Sequence, residues 1–404
     1  MSGGIAVPLS LSQPVPELAY VLEDSGANTI LHTAEFQDIS TRAADASRAP
    51  TALFALAPAR EETYDATVAA EIEAAVKEVE TTRCSESSGA LIIYTSGTTG
   101  KPKGALHTFT SLGAQVRSLC TAWEWSKDDV ILHGLPLHHI HGIVNALLCP
   151  LYMGACIEFL PRFSPTLVWK AWMRDSAAVD TSSQACHRAN ITVFMGVPTM
   201  FVILLRFYDA AEQSMQAQMR RAAARLRLTV SGSAACPVGV MHSWEVISGS
   251  RLLERYGMTE IGMALSNPYS DRNARRPGCV GTPLPGVECM IASSSSSSTD
   301  DTSVPAASST DDDAAGVAVS GELLVRGPML FKEYVGKPKE TEDVFDEHGW
   351  FKTGDTVRKD LKSGVFTILG RSSTDIIKNG GYKVRCFSRA LHSTSVFISP
   401  FLMC

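Results

Sequence analysis

The sequence predicts an α/β protein: a large domain of several sheets layered with helices, followed by the start of a smaller α/β domain. Three observations predict it. Short runs rich in Val, Ile and Leu alternate with segments of helical periodicity along most of the chain. The 404 residues, 45% of them hydrophobic, are enough for the cores of two or three domains. One apolar run, residues 90–94, feeds into ten residues of glycine, hydroxyl and lysine with almost nothing to bury, the pattern of a strand that opens into an anion-binding loop.

Bulk properties exclude several classes. A net charge of −6 leaves no basic footprint for nucleic acid. Ten cysteines with no CxxC pair point to free, mostly buried thiols in a reducing compartment. No apolar run reaches the length of a transmembrane helix. The opening MSGGIAVPLSLSQP has neither a basic leader nor an arginine-rich amphipathic pattern, and reads as the interior of a domain.

In order, residues 5–11 read as a short strand, 15–24 as a helix with apolar positions 15, 18, 21 and 22 on one face, and 29–32 as a strand. Residues 67–80 read as an acidic helix with a solvated face. Beyond the glycine-rich loop come a helix at 109–125 and a strand at 129–135, which ends at PLHHIHG (136–142). A Trp-bearing helix spans 167–174, and the polar run 175–190 reads as an inserted surface loop. A buried strand at 191–197 precedes a helix opened by Pro198 and Thr199. The arginine-bearing run 210–227 is weighed as a membrane-surface or nucleic-acid element, but a solvated helix suits an acidic chain better. LTVSGSAA (228–235) reads as a strand with a small-residue turn, and LLERYGMTE (252–260) as a strand-to-helix turn. Residues 292–316 hold Ser, Thr, Asp and Ala without an aromatic, too little to order a core, and read as a disordered insertion in a surface hairpin. GELLVRG (321–327) is a strand.

The loop carries the chemistry. Gly97, Gly100 and Gly104 let backbone N–H groups approach an anion, Thr95, Ser96, Thr98 and Thr99 add hydroxyls, and Lys101 and Lys103 add positive charge. It is not a Walker loop, which needs four residues between its glycines and Gly-Lys-Ser/Thr after them; here two residues separate Gly97 from Gly100, and Pro102 follows Lys101. Three histidines, His138, His139 and His141, raise a metal site, but no Asp, Glu or Cys partner lies near them in sequence.

The string YTSGTTGKPKG (94–104) resembles the signature loop of the adenylate-forming enzymes, the acyl-CoA synthetases, luciferases and peptide-synthetase adenylation domains. The resemblance implies that this loop closes over the β- and γ-phosphates of ATP. It puts Gly232, Ser233 and Ala234 at the adenine site and Tyr256 against adenine. Thr259 falls on the α-phosphate, and Glu260 on the Mg²⁺ that bridges phosphate oxygens. Asp355, in GWFKTGD (349–355), and Arg371, in ILGR (368–371), would take the ribose hydroxyls. His138 and His141 would border the acyl pocket, with His138 in a catalytic position and His141 on the substrate. DIIKNGGYK (375–383) resembles the start of the small domain, which puts Lys378 and the pair 380–381 on the pantetheine side of coenzyme A. The hinge would lie within 358–364, with the large domain at 1–358, the small-domain start at 359–384 and an unrelated tail at 385–404.

Residues 266–286, SNPYSDRNARRPGCVGTPLPG, most resemble malonyl-CoA synthetases, whose arginine ahead of Pro-Gly pairs with the second carboxylate of malonate. Arg275 is the choice for that role and Arg276 the next; a solvent-exposed basic turn is the other reading. The implied reaction is ATP-dependent ligation of malonate or methylmalonate to coenzyme A through an acyl adenylate, in the cytoplasm or mitochondrial matrix. The resemblance spans residues 4–383 and enters the family's large domain after its first elements. After Val384 no residue corresponds to the family's late lysine, so adenylation is expected to be weakened by about 3 kcal/mol. Two other readings remain open: a medium-chain or aromatic acyl-CoA synthetase, and a non-catalytic nucleotide-binding form.

Overall fold

Residues 4–10, 12–56, 85–95, 101–174, 190–292 and 317–371, with the backbone of 376–379 and 382–385, are described by a computed structural model. Five apolar runs lie side by side and parallel, in the spatial order Cys156–Phe159, Val130–His133, Val193–Gly196, Leu228–Ser231 and Leu253–Met258. VILH, VFMG and LTVS are buried at every position, and so read as continuous apolar runs rather than as alternation. The chain then reverses. Gly262–Ser266 pairs antiparallel with Leu253–Met258, and Thr282–Pro283 completes a seven-stranded sheet.

Helices Phe109–Ala122, Pro165–Met173, Pro198–Asp209, Gln213–Ala224 and Val238–Ser248 cover this sheet. Trp172 makes edge-on contacts with Trp169, Phe194 and Trp244, and Phe201 closes the cluster. Truncating one of these rings to Ala would cost about 3–5 kcal/mol. The helix expected over 109–125 stops at Ala122, and Glu124 takes a positive φ of 50°. Of the strand expected at 5–11, the structure keeps one parallel bridge, Ala6 to Leu91.

The strand-to-helix turn expected at LLERYGMTE is a hairpin. Gly262 adopts φ 62°, and Gly257 sits so close to the carbonyl of Gly262 that no Cβ could be placed there. The glycine-rich loop is also held in a hairpin: Gly89–Thr95 pairs antiparallel with Lys103–Thr108, and Thr95 faces Lys103. Glu333–Tyr334 adds a third strand alongside Leu106 and Ala105. Residues 96–100, the apex of the loop, lie outside the described residues, as do the expected helix at 67–80, residues 175–189, 293–316 and the tail from 386.

A four-stranded antiparallel sheet contains Glu288–Ala292, Ala318–Arg326, Phe351–Asp360 and Phe366–Arg371. Its first two strands flank the low-complexity tract as a hairpin, as expected. The hinge is expected within 358–364. That segment is the turn between two paired strands, with Lys359 opposite Phe366 and Asp355 opposite Arg371. Phe366 is buried in one cluster with Leu323, Phe351 and Val357. A hinge there would open that sheet and its core. A separate ribbon, Ile376–Asn379 with Tyr382–Arg385, follows. Cys120, Cys149, Cys236, Cys279 and Cys289 are free thiols, and no described helix is long and apolar enough to cross a membrane.

Candidate active site

In an open α/β sheet, ligands bind beyond the carboxyl ends of the parallel strands. The sequence candidates gather there: 138–141 after Val130–His133, Gly232 to Ala234 after Leu228–Ser231, and Thr259 with Glu260 after Leu253–Met258.

Thr259 and Glu260 sit on the tight turn between two antiparallel strands, and buried side chains fix that turn. His107 Nε2 meets the Thr259 carbonyl at 2.8 Å, while its Nδ1 faces Gln115 Nε2 at 3.3 Å and Ser111 Oγ at 3.4 Å. Burial pushes the His107 pKa down to about 4, so the ring is neutral and Nε2 donates to the carbonyl. Gln115 also donates to the Met329 carbonyl at 3.0 Å, and the Glu260 carbonyl accepts from the Phe331 amide at 2.7 Å. The Glu260 carboxylate accepts from Tyr334 Oη at 2.7 Å.

Asp355, Tyr256 and Arg371 come together. Asp355 Oδ2 accepts from Tyr256 Oη at 2.6 Å and Oδ1 from Arg371 Nε at 2.9 Å. A carboxylate has about four acceptor positions, so Asp355 can still take a pair of hydroxyls. Burial, then the Asp355 charge, holds the Tyr256 phenol well above its ordinary pKa and therefore protonated.

At the neighbouring strand end, Ser233 has a positive φ of 68° and its Oγ lies 3.4 Å from His141 Nδ1. His141 is buried, and its Nε2 has no partner among the described residues. Burial and the nearby Arg255 charge keep its pKa well below the usual range, so it is neutral. His138 is half-buried and stacks obliquely on His139 at 4.3 Å; burial brings its pKa down to about 4. No group of three or more metal-ligating side chains forms among the described residues, histidines included.

Arg255 escaped the sequence reading. It is 5% exposed, its Nε and Nη2 find no hydrogen-bond partner among the described residues, and burial brings its pKa down to about 9. Its guanidinium lies against Gly232 so closely that a Cβ on that residue would clash with it. Gly232, expected to line the adenine site, also leaves room for the Arg255 guanidinium. The missed signal was an arginine inside LLERY, a strand whose neighbours are buried.

Arg275, expected to meet a substrate carboxylate, is bonded to main-chain carbonyls. It is 0% exposed, and its guanidinium donates to the carbonyls of Pro268 at 2.9 Å, Arg251 at 2.6 Å and Tyr269 at 2.9 Å. Those carbonyls occupy three of its five donors and tie the 267–276 loop to Arg251. Arg276 is exposed and lies 3.8 Å from Asp360. In the glycine-rich hairpin, Lys101 stands over the Tyr20 ring at 5.1 Å and Lys103 over Tyr334 at 4.8 Å. Thr95 Oγ1 donates to the Lys103 carbonyl at 3.4 Å. Ser96, Gly97, Thr98, Thr99 and Gly100 lie outside the described residues, as does the Lys378 side chain.

A parallel sheet with a lysine-bearing glycine-rich hairpin and a carboxylate beside a hydrogen-bonded tyrosine is the arrangement of an adenylate-forming enzyme. The model of the AMP-binding enzyme family matches residues 1–335, and the chain belongs to that family. It is 45% identical over 383 residues to a malonate–CoA ligase of Arabidopsis thaliana, covering 95% of this chain and 58% of that protein. It is 44% identical to the mitochondrial malonate–CoA ligase ACSF3 of Homo sapiens, covering 97% of this chain and 65% of that one. A malonyl-CoA ligase solved with methylmalonyl-CoA and AMP superposes with a TM-score of 0.69 at 32% identity, over 94% of this chain and 69% of that one. The chain thus spans about three-fifths of the length of these curated relatives.

Proposed function

We propose that this chain carries the nucleotide- and acid-binding machinery of an AMP-forming malonate–CoA ligase. The observation that carries the proposal is Arg255, a buried guanidinium with two unpaired N–H groups beside neutral His141 at the carboxyl end of the sheet. Leaving such a cation unpaired costs several kcal/mol, and a second carboxylate on the substrate would offset that cost. An alkyl or aryl chain would not, which disfavours a fatty or aromatic acid. The relatives named malonate–CoA ligases support the same reading.

In the reaction, a malonate carboxylate oxygen attacks the α-phosphorus of ATP and pyrophosphate leaves. The coenzyme A thiol then adds to the acyl carbon of the adenylate, loses its proton and expels AMP. The protein acts by positioning and charge rather than as a nucleophile. Lys101 and Lys103 flank the loop that would hold the β- and γ-phosphates, Asp355 would accept the ribose hydroxyls with Arg371 fixing its orientation, and Thr259 would face the α-phosphate. The Glu260 carboxylate fits Mg²⁺, which is bound by one or two carboxylates plus substrate phosphates and supplies charge neutralisation there. His141 Nε2 and Arg255 would take the two ends of the diacid, with His138 at the mouth of the pocket. Lys378 and residues 380–381 remain the choice for the pantetheine arm, and the mitochondrial label of the human relative favours the matrix.

Pyrophosphate exchange into ATP tests the proposal, with malonate, acetate and octanoate as acids. Exchange with malonate, lost in Arg255→Met, supports it. Exchange driven best by octanoate or acetate would overturn the diacid assignment.

A further inference from the structure

Glu260 sits half-buried on a tight turn, where a glutamate side chain ordinarily samples several rotamers. Here one carboxylate oxygen is fixed by the 2.7 Å hydrogen bond from Tyr334, which is 5% exposed. Tyr334 is itself held on every side. Its backbone pairs with Ala105, its N–H donates to Thr341 Oγ1 at 2.9 Å, and its ring packs on Phe331 at 4.8 Å. The same ring carries Lys103 Nζ 4.8 Å from its centroid. One buried tyrosine therefore touches both a cation at the base of the phosphate hairpin and the carboxylate suited to Mg²⁺.

We propose that Tyr334 is a positioning residue for the metal–triphosphate: it locks the Glu260 carboxylate so that its other oxygen faces the cation, and keeps Lys103 in register with it. The inference rests on the nucleotide-binding reading above. A carboxylate held in one orientation loses less freedom when it binds a cation, and a hydrogen bond to a charged acceptor is among the stronger ones. Nucleotide that binds without metal or terminal phosphates has no use for this arrangement, so the effect should be confined to Mg·ATP.

The test is calorimetric titration of the chain with Mg·ATP, and separately with AMP in EDTA. Tyr334→Phe keeps the ring, its packing and its face toward Lys103, and removes only the hydroxyl. The expected result is Mg·ATP affinity weakened about tenfold with AMP affinity kept within about twofold. Glu260→Gln should weaken Mg·ATP as well, and the double variant should bind no worse than Glu260→Gln alone, because the hydroxyl acts through that carboxylate. Unchanged Mg·ATP affinity in Tyr334→Phe, or an equal loss for Mg·ATP and AMP, would overturn the assignment while leaving the nucleotide site intact. Failure of the unmodified chain to bind either nucleotide would remove the nucleotide reading and this inference together.

Discussion

Two arginines twenty positions apart are both buried and have opposite prospects. Arg275 satisfies three main-chain carbonyls, so its replacement orphans buried acceptors. Arg275→Met should destabilise the fold by about 3 kcal/mol in urea denaturation, with no change in which acid binds. Arg255 is buried with N–H groups that find no partner among the described residues, so Arg255→Met removes an uncompensated charge. That variant should be more stable than the parent by on the order of 1–2 kcal/mol and lose its response to malonate. If both variants lost stability equally, Arg255 would be a structural arginine like its neighbour. The sequence reading chose Arg275 and passed over Arg255. The arginine-rich turn before Pro277 looks like a ligand site, and only the fold shows where its donors go.

At the scale of elements, the hairpin that carries Thr259 and Glu260 depends on a neutral histidine. The His107 pKa in the folded protein, about 4, lies below its ordinary 6.5. A depressed histidine contributes stability that is present above pH 6.5 and lost as pH falls toward 4, because the unfolded chain takes up the proton first. The loss is on the order of 3 kcal/mol. His107→Gln should flatten denaturation free energy measured between pH 7 and pH 4; an unchanged slope would mean that other groups govern acid unfolding. The element types were mostly legible in the sequence. The runs VILH, VFMG and LTVS could only be buried strands, and Pro198 marked a helix start. The RYGMTE hairpin was not legible, since Gly-Met-Thr-Glu is equally compatible with a helix entry. What decides it is a close approach between Gly257 and Gly262 in three dimensions.

For the whole molecule, the ladder that runs through Arg371 bears on where the hinge can lie. Phe366–Arg371 is laddered to Phe351–Asp360 and packed on the shared core, so both strands should open together. Amide exchange should show the 366–371 amides protected to the same degree as those of 351–360, with no fast-exchanging break beyond the 361–364 turn. Family resemblance supplied Asp355 and Arg371 as a pair but set the hinge between them, because motif spacing does not reveal which segments share a ladder. The Asp355, Tyr256 and Arg371 cluster was foreshadowed by short motifs, each named from its own segment. His141 was chosen from its motif, but its approach to Arg255 and Gly232 was not legible, since the three lie on or after separate strands that only the sheet brings together.

The central claim is that a second carboxylate on the substrate completes the Arg255 pocket. The most direct test is titration of malonate, acetate and octanoate into the chain saturated with Mg²⁺ and the non-reacting analogue α,β-methylene-ATP. Malonate should bind, acetate should bind at least about tenfold more weakly for want of the second charge-assisted pair, and octanoate should not bind. Equal binding of malonate and acetate, or preferential binding of octanoate, would contradict it.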